Sequence, residues 1–201
     1  MHILLEIGSI IVISLGLLAI FSLFEALSRK YKWNPDEMRR ISHVVGALFG
    51  VGVAITLSKI VFIIATTSFA VLMAISHRKS IFRHIHGVSR KTYGEELLPL
   101  GLLSAYLICN ADPRIFVPAF LITGISDPIN GFVVNKTNSR LPGFLCFVAS
   151  AALLLLIFTP LNSFIILGTA LIVGIVEQIF TYGTDNLMVP VAVAVVLLLM
   201  L

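Results

Sequence analysis

Ile3-Leu-Leu-Glu-Ile-Gly-Ser-Ile-Ile-Val-Ile-Ser-Leu-Gly-Leu-Leu-Ala-Ile-Phe-Ser-Leu-Phe-Glu-Ala-Leu27 decides the fold class. At about 1.5 Å per residue, an apolar helix of this length crosses a ~30 Å hydrocarbon core. Its acids, Glu6 and Glu25, sit near its two ends, where water can reach them. It lacks a basic n-region and a clear small-residue cleavage site, so it reads as a retained helix rather than a signal peptide. Further apolar runs follow at Val44–Leu57, Ile60–Ile75, Leu97–Cys109, Ile115–Val134, Phe144–Phe158, Ser163–Phe180 and Leu187–Leu201. The predicted fold is therefore all-α: one domain over residues 1–201, an integral membrane, multi-pass helix bundle of about eight spans. The number is seven if two short pieces are re-entrant. Val44–Leu57 and Ile60–Ile75 are too short to cross upright, so they are tilted, extended by their flanks or surrounded by protein.

Composition agrees. The 201 residues are 58% hydrophobic and 12% charged, with mean hydropathy +1.05, and a soluble domain carries roughly twice that charge. The net charge of +4 does not point to nucleic acid, because no basic patch is interleaved with aromatics. Loop bias explains it better. Of the fourteen Lys and Arg, five lie in the first loop, five in the third and two in the fifth. The positive-inside rule makes that face cytoplasmic and puts both termini outside. In the first loop Tyr31 and Trp33 are expected interfacial anchors, and Asn34-Pro35 is a helix-opening pair. Cys109 and Cys146 lie in apolar runs, without metal spacing or a disulfide framework, and read as small core residues.

The polar residues gather on the same face. The longest polar run is His84-Ile-His-Gly-Val-Ser-Arg-Lys-Thr-Tyr-Gly-Glu-Glu96. Taken alone, it is equally a solvated basic connector or a loop that carries chemistry. Arg39, Arg40 and His43 precede it, and Asp127–Asn138 and Glu177–Asn186 follow. Acids within membrane segments are costly and usually functional. Asp127 and Glu177 are then either ion-pair partners of loop bases or carboxylates that hold a divalent ion. Mg²⁺ needs only one or two carboxylates plus phosphate oxygens. Arg39, Arg40, Arg90 and Lys91 are the available counter-charges, and Gly87 and Gly94 would let backbone approach phosphate. His43 is a helix-packing donor or a site residue. His84 and His86 have no third ligand spaced for zinc; His2 and His77 read as bystanders.

Arg39-Arg-Ile-Ser-His43, Gly87-Val-Ser-Arg-Lys-Thr-Tyr-Gly-Glu95, Asp127 in a polar span, Glu177, and Asp185-Asn-Leu-Met-Val-Pro190 occur in that order. This ordered set resembles the CTP-dependent lipid kinase group: phytol and farnesol kinases, dolichol kinase and CTP-dependent diacylglycerol kinase. The group is distantly related to phosphatidate cytidylyltransferase. The resemblance covers Arg39 to Pro190 and implies transfer of the terminal phosphate of CTP to a lipid alcohol, with Mg²⁺ or another divalent cation. Carried over by position, Asp127 matches the acid of the family's Gly-Asp segment. Glu177, Asp185 and Asn186 match its closing motif, Arg40 and His43 its basic–His motif, and Arg90, Thr92, Gly94 and Glu95 its central loop. The catalytic set so implied is Asp127, His43, Glu177 and Asp185, with Asp127, Glu177 and Asp185 on the metal. Nucleotide contacts are expected from Arg39, Arg40, Arg90, Lys91, Thr92, Gly94, Glu95, Asn130, Lys136 and Asn186.

The chain departs from the family pattern around Asp127. Ser126 stands where the family has Gly, Pro128 and Asn130 follow, and the glycines beyond Gly131 are missing. Ser139 and Gly143 echo the next motif one residue too far apart. A cytidylyltransferase-like enzyme making a CDP-lipid stays open. So does a small transporter or lipid-binding protein that uses Asp127 and Glu177 for coupling. Expected partners are the lipid alcohol, CTP and membrane lipids, with no nucleic acid. The residues leave open which alcohol is used and whether a carboxylate or His43 acts as base.

Overall fold

A computed structural model describes residues 2–79, 81 and 92–201, with side chains from Gly8 onward. All regular structure among these residues is helical. In order, the helices are α1 (His2–Tyr31), α2 (Pro35–Thr56), α3 (Lys59–Lys79), α4 (Gly94–Ile108), α5 (Pro113–Leu121), a π turn (Ile122–Ser126), α6 (Asp127–Thr137), α7 (Arg140–Phe158), α8 (Ser163–Ile179) and α9 (Asp185–Met200). Five stretches are long and apolar enough to cross a membrane: Gly8–Tyr31, Pro35–Thr56, Lys59–Lys79, Pro113–Thr137 and Arg140–Phe158. Ser163–Ile179 and Asp185–Met200 are shorter apolar helices. The chain has the make-up of a helical membrane protein.

Local chemistry sets the helix ends. Asn34 accepts a hydrogen bond from the Asp36 N–H at 2.9 Å, and Pro35 opens α2, as its fixed φ and missing N–H suit. That helix does not stop after the basic segment. Arg39, Arg40 and His43 occupy its first turns and the second apolar run continues it, so the short span is extended by its flank. Asp112 and Asn162 cap α5 and α8 in the same way. Tyr31, the last residue of α1, and Trp33 just beyond it stack at 5.8 Å, both exposed.

The core forms around α5 and the start of the π turn, and α6 continues the same rod toward the polar end. Phe62, Phe116, Phe120 and Phe147 are fully buried there, and Tyr106 joins Phe62 and Phe116 at 4.2 and 5.2 Å between ring centres. Small residues bring backbones together, as they do where helices pack in lipid. A Cβ on Gly124 would lie 2.1 Å from the Ala47 Cβ, and one on Gly101 would lie 2.2 Å from the Asn186 carbonyl oxygen. These two contacts fix α2 against the π turn and α4 against α9. Cys109 is buried at the edge of the core and Cys146 half-buried, both free. Large apolar side chains such as Val12, Phe164 and Leu199 point outward, which suits a hydrocarbon solvent.

Candidate functional site

The π turn aims the rod. Pro128 has no N–H to donate to Gly124 and would crowd that carbonyl in a regular helix. Widening the turn before it removes the conflict, and such turns are frequent at functional sites. Beyond it, Asp127, Asn130, Gly131, Val134 and Asn135 recur at helical spacing and form one wall of a polar cavity of about 160 Å³. Arg39, Arg40 and His43 of α2 form a second wall. Arg140 of α7, Glu177 and Gln178 of α8, and Thr181–Asp185 ahead of α9 complete it. The starts of α2, α4, α7 and α9 gather at this end of the bundle. Helix N-termini carry partial positive charge, which favours anions.

Three acids meet in the cavity. Asp127, Glu177 and Asp185 each offer a carboxylate oxygen, and these oxygens lie within 4.8 Å of one another. The Asn130 Nδ2 donates to Glu177 Oε1, and the Gln178 Nε2 donates to Oε2 at 2.6 Å. These bonds fix the rotamer and leave lone pairs on both oxygens. His43 is buried on α2, with Nδ1 4.0 Å from Asp127 Oδ2. Arg39 and Arg40 act electrostatically on Asp127, and Arg140 on Glu177. Carboxylates this close repel one another unless a cation or shared protons intervene. Oxygen-only donors that include carboxylates suit a hard divalent ion such as Mg²⁺. The arginines beyond them suit the anionic oxygens of a phosphate chain.

A tight seam stands behind the cavity. Tyr93 donates its backbone N–H to the Tyr182 carbonyl at 3.0 Å. Gly183 has φ +89°, and a Cβ there would fall 2.3 Å from the Gly94 nitrogen, so only glycine fits. Gly94 packs against the Asn186 amide and the Arg39 guanidinium, and its N–H donates to the Thr92 Oγ1 at 3.2 Å. Thr92, Gly94, Glu95 and Asn186 are all buried, and they support the Arg39 and Gly183 walls rather than lining the cavity. The Glu95 carboxylate is buried without a hydrogen bond to another described residue.

The structure thus brings Asp127, Glu177, Asp185, His43, Arg39, Arg40 and Asn130 into one cavity, with Thr92, Gly94, Glu95 and Asn186 behind it. Lys136 is exposed and off the cavity wall. Arg90 and Lys91 lie outside the described residues, as do His84, His86 and Gly87. His77, read as a bystander, has Nδ1 2.9 Å from Glu96 Oε1. Sequence reasoning left Arg140 outside its polar clusters, and gave no role to Asn135 and Gln178, which lie within the stretches 127–138 and 177–186 that it placed at the site. The available signals were the position of Arg140 at the start of a helix on the basic face and that of Gln178 beside an intramembrane acid. Compared with known proteins, the chain matches no family model, and no curated protein and no solved structure matches it either.

Proposed function

We propose that this is a multi-pass membrane enzyme that transfers the terminal phosphate of CTP to a lipid alcohol, giving a lipid monophosphate and CDP. One observation carries the reading: three carboxylates within 4.8 Å of one another face Arg39, Arg40 and Arg140 across a single cavity at one end of the bundle. The residues that meet there include Arg40, His43, Asp127, Glu177 and Asp185, five of those by which the sequence resembles the CTP-dependent lipid kinase group. In this reading α1, α2, α3, α4, the α5–α6 rod, α7, α8 and α9 make eight passes, and the cavity opens to the cytoplasmic face, where twelve of the fourteen Lys and Arg lie.

Asp127, Glu177 and Asp185 would hold Mg²⁺, which neutralises phosphate charge and orients the transferred group. Arg39, Arg40 and Arg140 grip phosphate oxygens and stabilise charge as it moves toward the leaving group. The lipid hydroxyl oxygen forms a bond to the terminal phosphorus of CTP. The bond from that phosphorus to the bridging oxygen breaks, and CDP leaves with the electron pair. The hydroxyl proton passes to a carboxylate of the cluster or to His43. Most of the catalysis is positioning and charge neutralisation, which is what fixed arginines and a braced Glu177 supply.

The experiment is a product assay. Purified protein in detergent receives Mg²⁺, CTP labelled on its terminal phosphate, and prenyl alcohols or diacylglycerol. Label in the organic phase supports the kinase, and the best acceptor names its substrate. Pyrophosphate release with phosphatidate present, and no labelled lipid, replaces it with a cytidylyltransferase. The absence of both products from folded protein removes the kinase reading.

A further inference from the structure

We infer that the lipid acceptor reaches the cavity sideways from the bilayer, lying in an apolar groove between α2 and α6 with its polar end at Arg40. The inference rests on the kinase reading for the identity of the acceptor. The groove holds about 330 Å³ and is walled by Ile41, Val44, Ile129 and Phe132, with Arg40 and Glu37 among its residues. Ile41, Ile129 and Phe132 are 44%, 36% and 54% exposed, an apolar surface that lipid can enter.

Arg40 links this groove to the polar cavity. It lines the groove and also the polar cavity. Two other apolar clefts among the described residues are lined by Ile13, Phe49 and Leu98 and by Val12, Leu48 and Leu57. Neither shares a residue with the polar cavity. Gly131 explains how Arg40 serves both sides. A Cβ on Gly131 would fall 1.3 Å from Arg40 Nη1, so the guanidinium lies directly on the α6 backbone. The guanidinium sits against Gly131, which lines the cavity, and Arg40 also lines the groove, an arrangement long basic side chains adopt at an apolar boundary.

A guanidinium at that boundary can hydrogen-bond the acceptor hydroxyl, and afterwards pair with the phosphate of the product. The tail never leaves the hydrocarbon. Withdrawing it would cost free energy for every methylene exposed to water. A water-soluble donor and a lipid acceptor therefore approach the carboxylates from different sides, and Arg40 stands between them.

The test uses the full chain in lipid nanodiscs. The probe is a long-chain primary alcohol with a diazirine part-way along its tail, photolysed with and without excess unlabelled alcohol. Saturable labelling is expected on peptides containing Ile41–Val44 and Ile129–Val133. Ile129→Trp fills the groove from an exposed position and should lower that labelling several-fold, whereas Val12→Trp, in the remote cleft, should not. Saturable labelling that follows Val12→Trp, that is confined to the Phe49 and Leu98 cleft, or that is absent overturns the groove. Labelling reads binding without turnover. Groove labelling without labelled lipid phosphate in the product assay would leave the groove and remove the kinase; the reverse result would remove the groove alone.

Discussion

Asn130 holds Glu177: the Nδ2 of one donates to the Oε1 of the other, joining α6 to α8 across 47 residues of sequence. Gly143 stands behind this bond, since a Cβ there would fall 2.3 Å from Asn130 Oδ1. The acid that completes the carboxylate cluster is thus oriented by an amide, and the amide is seated by a glycine on a third helix.

Asn130→Ala should therefore leave the bundle folded and misplace Glu177. A hydrogen bond to a charged group contributes about 1.5–3 kcal/mol, so kcat/KM should fall roughly ten- to a hundred-fold. Activity and thermal unfolding measured on one preparation check this. An unchanged kcat/KM would mean that the orientation of Glu177 does not matter.

Asp127→Asn keeps the shape of the side chain and removes its charge from the cluster. Turnover should be abolished while the protein stays folded and stable in detergent, and Mn²⁺ binding followed by electron paramagnetic resonance should weaken with it. Near-normal activity would remove Asp127 from the site.

The cluster is the part of the site most legible in the sequence. An acid inside an apolar run is costly, and loop parity alone brings Asp127, Glu177 and Asp185 to one end of an up-and-down bundle. Lys136 and Arg140 show where that logic stops. Lys136 is nine residues beyond Asp127, about two and a half helical turns, so it emerges on the opposite face of α6. Arg140 follows Asn138, whose left-handed φ of +53° ends that helix, and the new helix direction turns it toward the cavity. Parity places both bases at the correct end; only the turn geometry separates them. The π turn was similarly hidden within an apolar run, with Pro118 and Pro128 as its only signals. The seam between Gly94 and Gly183 is a contact between the start of α4 and the turn ahead of α9, and neither stretch carries it alone.

Gly131→Ala should act through Arg40. The added methyl meets the far end of a flexible side chain, so the guanidinium swings away and the backbone stays. KM for the lipid acceptor and for CTP should rise while thermal stability changes little. Because both substitutions then remove one interaction, Gly131→Ala combined with Arg40→Ala should be no worse than Arg40→Ala alone. Additive losses would separate Gly131 from Arg40.

The assignment of faces has its own test. Val88 lies outside the described residues, whereas Asn138, at the cavity end, and Ser163, at the other, are both exposed. In a background lacking Cys109 and Cys146, Asn138→Cys should react with an impermeant thiol reagent from the cytoplasmic side and Ser163→Cys from the outside. The reverse pattern would turn the cavity outward.

Asp112 lies at the opposite end, in the turn ahead of α5. Its carboxylate accepts hydrogen bonds from the Arg114 guanidinium, at 2.7 Å from Nη2 and 3.1 Å from Nε, and from the Arg114 backbone N–H at 2.9 Å. The side-chain bonds from Arg114 are the main reason its carboxyl is held below the usual range, against a smaller upward push from burial. A depressed folded pKa means that the unfolded chain takes up this proton first as pH falls. The ionised form therefore adds stability above the unfolded value of about 3.9, and that stability is lost as pH drops toward and through the lower folded value. Asp112→Asn keeps an N-cap but loses the charge. Its Tm should lie below that of the unsubstituted protein by a constant amount near neutrality, and the gap should close below about pH 4. Asp112→Ala also removes the cap, at a cost of about 1 kcal/mol, and should keep a deficit at every pH. A gap between the Asn variant and the parent that persists at the lowest pH would mean that the charge of Asp112 contributes nothing to α5.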